Sequence, residues 1–407
     1  MGGLGDTGRM TFEVTDAAHP AAARAHPAYA RALSAAVWAT RIQFAALGML
    51  GGAWGVHIPS VKAQYALGEA MLSSVLLAAA TGAVISLFAA GRLIGRLGAR
   101  TACTLAAAVM GVMLALVLVW GSLWLLLSAM LLFGMAMSLF DVAINTEGTA
   151  LESLSGRTVM SNLHAMFSVG AMAGAALTGG LLRAGVDARV QLAAIGIGTA
   201  VAAALAARSM LQAHPAPAEG EGPQQHFAWP RGILLVIGLM IFAGMSAEGV
   251  MYDWCVLYLK QELQLGQDVA AMGYAAFTAA MAAARFGGDA LRARYSERNL
   301  LRASAGLSAV AMAVVLLSGH AAVSIAGYAL VGAGLAPVVP ILFNAATRVP
   351  GTSRAAAIAA VSSIGYLGFM IGPPLIGGLA QALSLTAAMW VVVLASALLA
   401  IGARKVG

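Results

Sequence analysis

Apolar residues run through this chain in blocks too long for the faces of a soluble domain. Between Arg41 and Lys62 lie 20 uncharged residues, and between Glu69 and Arg92 lie 22. A helix rises 1.5 Å per residue, so roughly 20 residues cross a ~30 Å hydrocarbon core. Longer uncharged runs (101–140, 303–347 and 355–403) hold two such lengths each, broken near "WGSLW", "SGH" and "ALSLT". The pattern predicts spans near 36–59, 70–91, 101–120, 123–148, 161–182, 190–209, 232–258, 269–290, 302–318, 321–345, 355–380 and 384–403. These are twelve helices, six on each side of the polar stretch 211–231. The runs are continuous rather than alternating, which excludes a membrane β-barrel. The fold class is an all-α membrane protein.

Composition agrees. The chain is 61% hydrophobic and 10% charged, against about 25% charge in a soluble domain. Nineteen of the 23 Lys and Arg fall on the side that carries both termini; the other four, Lys62, Arg183, Arg189 and Lys260, fall on the opposite side. That asymmetry predicts cytoplasmic termini and supports the span count. It also accounts for the net charge of +7 without a nucleic acid partner. Residues 1–34 lack an apolar core and read as a flexible cytoplasmic tail. Residues 35–210 then form a first six-helix bundle, 211–231 a linker rich in Pro, Gly and acid, and 232–407 a second bundle. Cys103 and Cys255 are single, and no cofactor or metal motif is present.

The two bundles repeat each other. "YALGEAMLSSVLLAA" (65–79) matches "LQLGQDVAAMGYAAF" (263–277), Gly134 matches Gly332, and "GAMAGAALTGGL" (170–181) matches "GFMIGPPLIGGL" (368–379), all at an offset of 198. A repeat of six spans points to a transporter whose substrate site lies near mid-membrane, where the two bundles meet. Glycines at four-residue spacing also let helices pack closely, but packing alone does not fix the offset.

Twelve spans, two related bundles and a central linker resemble the major facilitator superfamily. "GRLIGRLGAR" (91–100) resembles that family's signature loop G-x-L-x-D-R-x-G-x-R: Gly91, Leu93, Arg96, Gly98 and Arg100 match, while Gly95 stands where the family has aspartate. The resemblance implies a latch at this loop, and without the aspartate Asp289 in "RFGGDALRAR" is the substitute. "GAWGVHIPSVK" (52–62), "DVAINTEGTALE" (141–152), "HAMFSVGAMAGAAL" (164–177), "AEGVMYDW" (247–254) and "GYLGFMIGPPLIG" (365–377) are similar to a bacterial YbjJ-like branch, and distantly to fucose permeases. The resemblance implies alternating access in a bacterial inner membrane, with span 7 facing the cavity and an acid in span 4 in use.

Polar residues inside these spans are the candidate site, because a charge in hydrocarbon is costly unless paired or wetted. Glu248 and Asp253 sit in span 7, about 140° apart on the helix, so they face different neighbours. Glu248 shares a face with Gly244 and Tyr252. In span 4, Asp141 and Asn145 form one stripe and Glu147 lies near the inner end. Glu248, Asp253, Asp141 and Glu147 are the proton-coupling candidates. Asn145, Tyr252, Trp54, Asn344 and Tyr366 are candidates for the substrate cavity. Arg41 is the expected counter-charge for Asp141 or Glu147, Arg285 is expected to pair with Asp289 one turn on, and Arg96 and His164 complete the ion-pair and gating set. "PVVP" (337–340) is expected to bend span 10, because a proline frees backbone carbonyls.

An enzyme is disfavoured: there is no H-E-x-x-H and no Walker A sequence, and "GMSAEG" lacks the last glycine of a nucleophile elbow. The expectation is a monomeric, proton-coupled transporter of a sugar-like or organic-acid solute. Efflux of amphipathic compounds and a non-transporting sensor are the alternatives.

Overall fold

The computed structural model describes residues 27–212 and 231–405. The first six helices are α1 (Pro27–Gln64), α2 (Glu69–Leu97), α3 (Ala99–Leu116), α4 (Leu123–Ser155), α5 (Met160–Arg183) and α6 (Ala188–Ala207). After the linker come α7 (Ile233–Gln261), α8 (Gln267–Arg294), α9 (Glu297–Ser318), α10 (Ala321–Leu335), α11 (Val338–Thr347), α12 (Arg354–Ala382) and α13 (Leu385–Gly402). Among the described residues, 12 segments are long and apolar enough to cross a membrane, α10 and α11 being two pieces of one.

The helix ends follow local chemistry. Ser122, Asp187, Ser296, Ser353 and Ser384 each accept a backbone N–H of the helix they begin. Gly156 and Gly319 close α4 and α9 in the left-handed conformation. Two boundaries move from expectation. Helix α1 already includes Pro27, a residue suited to a first helical position, ahead of the span predicted from 36. Helix α4 runs on to Ser155 because nothing breaks it before Gly156, which leaves Glu147 two turns inside its end. The break in span 10 lies at Ala336 and Pro337, between α10 and α11.

Within the first six spans the most extensive packing joins α1 to α5, α2 to α4 and α3 to α6; within the last six it joins α7 to α12, α8 to α10, and α9 to both α10 and α13. Contacts between the two sets run along α5 and α8, along α2 and α12, and from α1 to α7 and α8. Helices α3, α6, α9 and α13 lie outermost, and stripes such as Leu105, Val109 and Val112, or Leu394, Leu398 and Ile401, stay exposed for lipid.

The repeat is visible in three dimensions. Gly134 meets the Ala79 carbonyl and Gly332 the Phe277 carbonyl, so that any side chain there would overlap backbone. Ala66 (φ 49°) and Gln264 (φ 54°) both take the left-handed conformation. Lys62 donates to Glu69 at 2.6 Å, and Lys260 donates to Gln267 at 2.7 Å. Each of these pairs is related by the same 198-residue offset. One face of the molecule carries both ends of the described chain and the Arg-rich connections; it is the basic face below, and the other is the far face.

Candidate functional site

Glu248 is the sixteenth of the 29 residues of α7, near mid-span. One turn on, the Tyr252 hydroxyl donates to Glu248 Oε1 at 3.2 Å, as their shared face requires. From α8, Arg285 Nη2 donates to the same oxygen at 3.1 Å, and both side chains are 15% exposed. Arg285 also crosses to the other bundle: Nη1 donates to Ser168 Oγ at 2.8 Å and to the His164 carbonyl at 3.4 Å. Its own carbonyl accepts from Ser161 Oγ at 3.3 Å. One guanidinium thus ties the span-7 carboxylate to α5. Around Tyr252 stand Phe167, Tyr274 and Phe277, with ring centroids 6.3, 5.8 and 5.4 Å away.

Asp141, at mid-span in α4, is exposed although it sits within a membrane-crossing helix. Asn145 Nδ2 donates to its carbonyl at 2.8 Å and to its carboxylate at 3.1 Å, which orients the acid. Tyr366 of α12 is 39% exposed and lies within electrostatic reach of Asp141, from the opposite bundle. Both are exposed at the boundary between the bundles, called the gap below.

That gap is shut at the far face. There Arg183 pairs with Asp268 at 3.2 Å, Gln267 Nε2 donates to the Val56 carbonyl and Ser60 Oγ at 2.8 Å each, Gln261 reaches Glu69 at 3.4 Å, and the Ala70 amide donates to Gln381. Toward the basic face, the hydrogen bonds between bundles among the described residues are the Arg285 group alone. Polar contacts between the bundles are therefore concentrated at the far face, with the Arg285 group as their counterpart nearer the basic face.

The family model of the Major Facilitator Superfamily matches residues 40–352 and, again, 241–406. The chain belongs to that superfamily. An uncharacterized MFS-type transporter of Yersinia pestis is 32% identical over 367 residues, covering 90% of this chain and 94% of its own. Among solved structures, a D-xylose–proton symporter superposes with a TM-score of 0.73 at 12% identity, covering 91% of this chain and 97% of its own. The E. coli fucose:proton symporter gives 0.64 at 16% identity, covering 91% and 98%. The superfamily's members here are transporters, and the protein is a multi-pass membrane transporter rather than an enzyme.

Several candidates take other places within the superfamily fold. Arg41 pairs with neither Asp141 nor Glu147; its Nε donates to Asn162 at 2.8 Å and its guanidinium lies 4.6 Å from the Trp38 ring. Glu147 is fully buried and accepts the Leu211 amide at 2.6 Å, beside the contact of Arg100 with the Met210 carbonyl. It anchors the start of the linker, away from the gap. Trp54 is 8% exposed and packs on Phe133 in the core. Asn344 donates to Glu297 at 2.6 Å, joining α11 to α9 rather than facing the gap. Arg285 takes Glu248 as its partner, and the side chain of Asp289 lies outside the described residues. Arg96 is exposed, and Gly95 beside it has open space around it. His164 packs edge-on against Phe44 at 5.2 Å, and its backbone carbonyl serves Arg285. Sequence reasoning misses Ser168, one turn after His164, and the rings Tyr274 and Phe277; a polar residue on the glycine face of "HAMFSVGAMAG" is the available signal for Ser168.

Proposed function

We propose that the protein is a proton-coupled secondary transporter that moves a small polar organic solute, sugar-like or an organic acid, across a bacterial inner membrane by alternating access. The charge asymmetry favours cytoplasmic termini, which makes the basic face the inner one. The observation that carries the reading is the Glu248–Arg285–Ser168 chain. Arg285 carries the bonds that cross between the bundles, and Glu248, in its own bundle, holds the guanidinium in place for them. A proton on Glu248 would remove the counter-charge that orients Arg285, so proton binding would act on the contact between the bundles through this one guanidinium. Within the gap, Asp141 accepts hydroxyl donors, Asn145 offers both a donor and an acceptor, and Tyr366 answers from the other bundle; the Tyr252 group supplies ring faces. That donor set suits a polyhydroxylated solute, and two of the similar structures bear the names of sugar–proton symporters.

The test is uptake of labelled sugars and organic acids into liposomes containing the purified protein, with and without an imposed pH gradient. Gradient-driven accumulation that Glu248→Gln abolishes is the expected result. Accumulation indifferent to the gradient, or unchanged in that variant, overturns proton coupling through this pair. Gradient-driven expulsion of amphipathic dyes instead would establish the efflux alternative.

A further inference from the structure

At the far face Gln267 is one link of a longer chain. Lys260 Nζ donates to Gln267 Oε1 at 2.7 Å, which leaves the Gln267 amide nitrogen to donate across the gap to Ser60 Oγ and the Val56 carbonyl. Ser60 Oγ lies 3.0 Å from His57 Nδ1, and His57 Nε2 lies 3.3 Å from Gln191 Oε1 of α6. Gln191 in turn donates its amide nitrogen to the Val186 carbonyl at 2.8 Å. His57 and Gln191 are fully buried. Asp253, the other acid of α7, takes no part; it stands against Gly372 and Pro373 of α12.

Each hydrogen in this chain has one place. A carbonyl holds Gln191 Nε2, so Oε1 is the atom that meets the ring, and an amide oxygen only accepts. The neutral ring of His57 therefore carries its hydrogen on Nε2, and the bare Nδ1 accepts from the Ser60 hydroxyl. The Ser60 oxygen is then left to accept from Gln267, as it does at 2.8 Å. Donors point one way, from Lys260 in one bundle to Val186 in the other, and the members of such a chain polarise one another. The other tautomer puts a hydrogen on Nδ1 and turns the Ser60 hydroxyl toward the Val56 carbonyl one turn back, where it competes with Gln267. The scaffold itself does not require the chain. At the 198-residue offset His57, Ser60 and Gln191 become Cys255, Tyr258 and Met389, which are buried at 0–1% exposure. Glu69, the mate of Gln267, has no side-chain hydrogen to send across when ionised.

We propose that His57 and Gln191 are positioning residues for alternating access. By fixing the ring tautomer they keep the Ser60 hydroxyl turned away from Gln267, and so hold the contacts between the bundles at the far face, the clasp. This role is separate from proton coupling at Glu248 and does not depend on it.

The experiment needs neither a substrate nor a gradient. Ala271, 1% exposed and packed on Gly179 across the clasp, is replaced by cysteine, and its labelling by an impermeant maleimide is timed in vesicles sealed with the far face outward. Tm is followed in parallel. Gln191→Leu is the decisive variant, because the hydrogen bonds of Gln191 lie wholly within the first bundle. It should speed labelling about three- to tenfold, as the loss of one hydrogen bond across the clasp would. Added to Ser60→Ala it should bring no further increase, because it acts through Ser60. His57→Asn and His57→Leu remove the same ring, and only Asn keeps an acceptor for Ser60. Asn should label near the wild-type rate and Leu several-fold faster, even where Leu gives the higher Tm in this buried slot. If the His57 variants do not fold, the Gln191 and Ser60 pair decides. Unchanged labelling in Gln191→Leu, an effect that persists in full on top of Ser60→Ala, or equal labelling of His57→Asn and His57→Leu overturns the proposal.

Discussion

Helices α1 and α7 occupy equivalent positions in the two repeats, yet only α7 holds carboxylates within its span. At the 198-residue offset Gly48 corresponds to Ser246, Leu50 to Glu248, Trp54 to Tyr252 and Gly55 to Asp253. The partner of Glu248 follows suit, Arg285 standing where the first repeat has Leu87. Leu50 is 1% exposed and simply packs, whereas Glu248 holds an ion pair in the same architectural slot. The frame is present twice, but at these positions the ion pair stands in one copy only. A charged pair in each copy would have doubled the desolvation cost.

The largest expected effect breaks that difference outright. Glu248→Leu alone leaves Arg285 without its counter-charge and should cost about 3–5 kcal/mol. Adding Arg285→Leu reproduces the apolar pair of the first repeat. Replacing a buried ion pair by apolar groups is often neutral or stabilising, so the double variant should recover the lost thermal stability. Gradient-driven uptake should stay absent. A double variant no more stable than Glu248→Leu would mean that the two repeats are not equivalent scaffolds at this position.

The same comparison shows how far the amino-acid sequence alone reaches. The spans and the repeat are legible because hydrocarbon imposes a length, and because glycines at helix contacts tolerate no side chain. The shared face of Glu248 and Tyr252 is legible too, since 3.6 residues per turn fixes it within one helix. The partner of Glu248 is not: Arg285 and Asp289 are one turn apart and make a self-sufficient pair on paper, and only the packing of α7 on α8 turns Arg285 to Glu248. Asn344 and Trp54 mislead for a related reason. A polar or aromatic group in an apolar helix is expected to face the cavity, whereas Asn344 finds an acceptor in Glu297 and Trp54 a packing partner in Phe133.

A smaller effect sharpens the contrast between the seams. Gly174→Ala puts a methyl into the Met49 backbone and should destabilise by about 2–3 kcal/mol, because α1 and α5 have to separate. Gly372→Ala, the equivalent change in α12, meets open space and should be neutral, or stabilising by up to about 1 kcal/mol through helix propensity. Melting curves of the two variants give the comparison directly. Equal losses would show that the α7–α12 seam is as tight as its counterpart.

The smallest effect concerns the far face, where Glu69 and its counterpart Gln267 differ by a single heavy atom. Glu69 accepts from Lys62 within its own repeat and from Gln261 across the gap; Gln267 accepts from Lys260 but also donates across the gap to the Val56 carbonyl and Ser60. A glutamine at 69 still has an oxygen for both of its donors, so Glu69→Gln should cost at most about 1 kcal/mol. A glutamate at 267 keeps Lys260 and loses the ability to donate, so it sets a carboxylate against the Val56 carbonyl and weakens the clasp. The readout is a cysteine at position 271, since Ala271 is 1% exposed and packs on Gly179 across the clasp. Native Cys103 and Cys255 are buried and contribute little background. An impermeant maleimide should label Ala271→Cys several-fold faster when Gln267→Glu is present and at nearly the unmodified rate with Glu69→Gln. The reverse order would place the clasp on the ion pair of the first repeat, and the donor that Gln267 sends across the gap would then be dispensable.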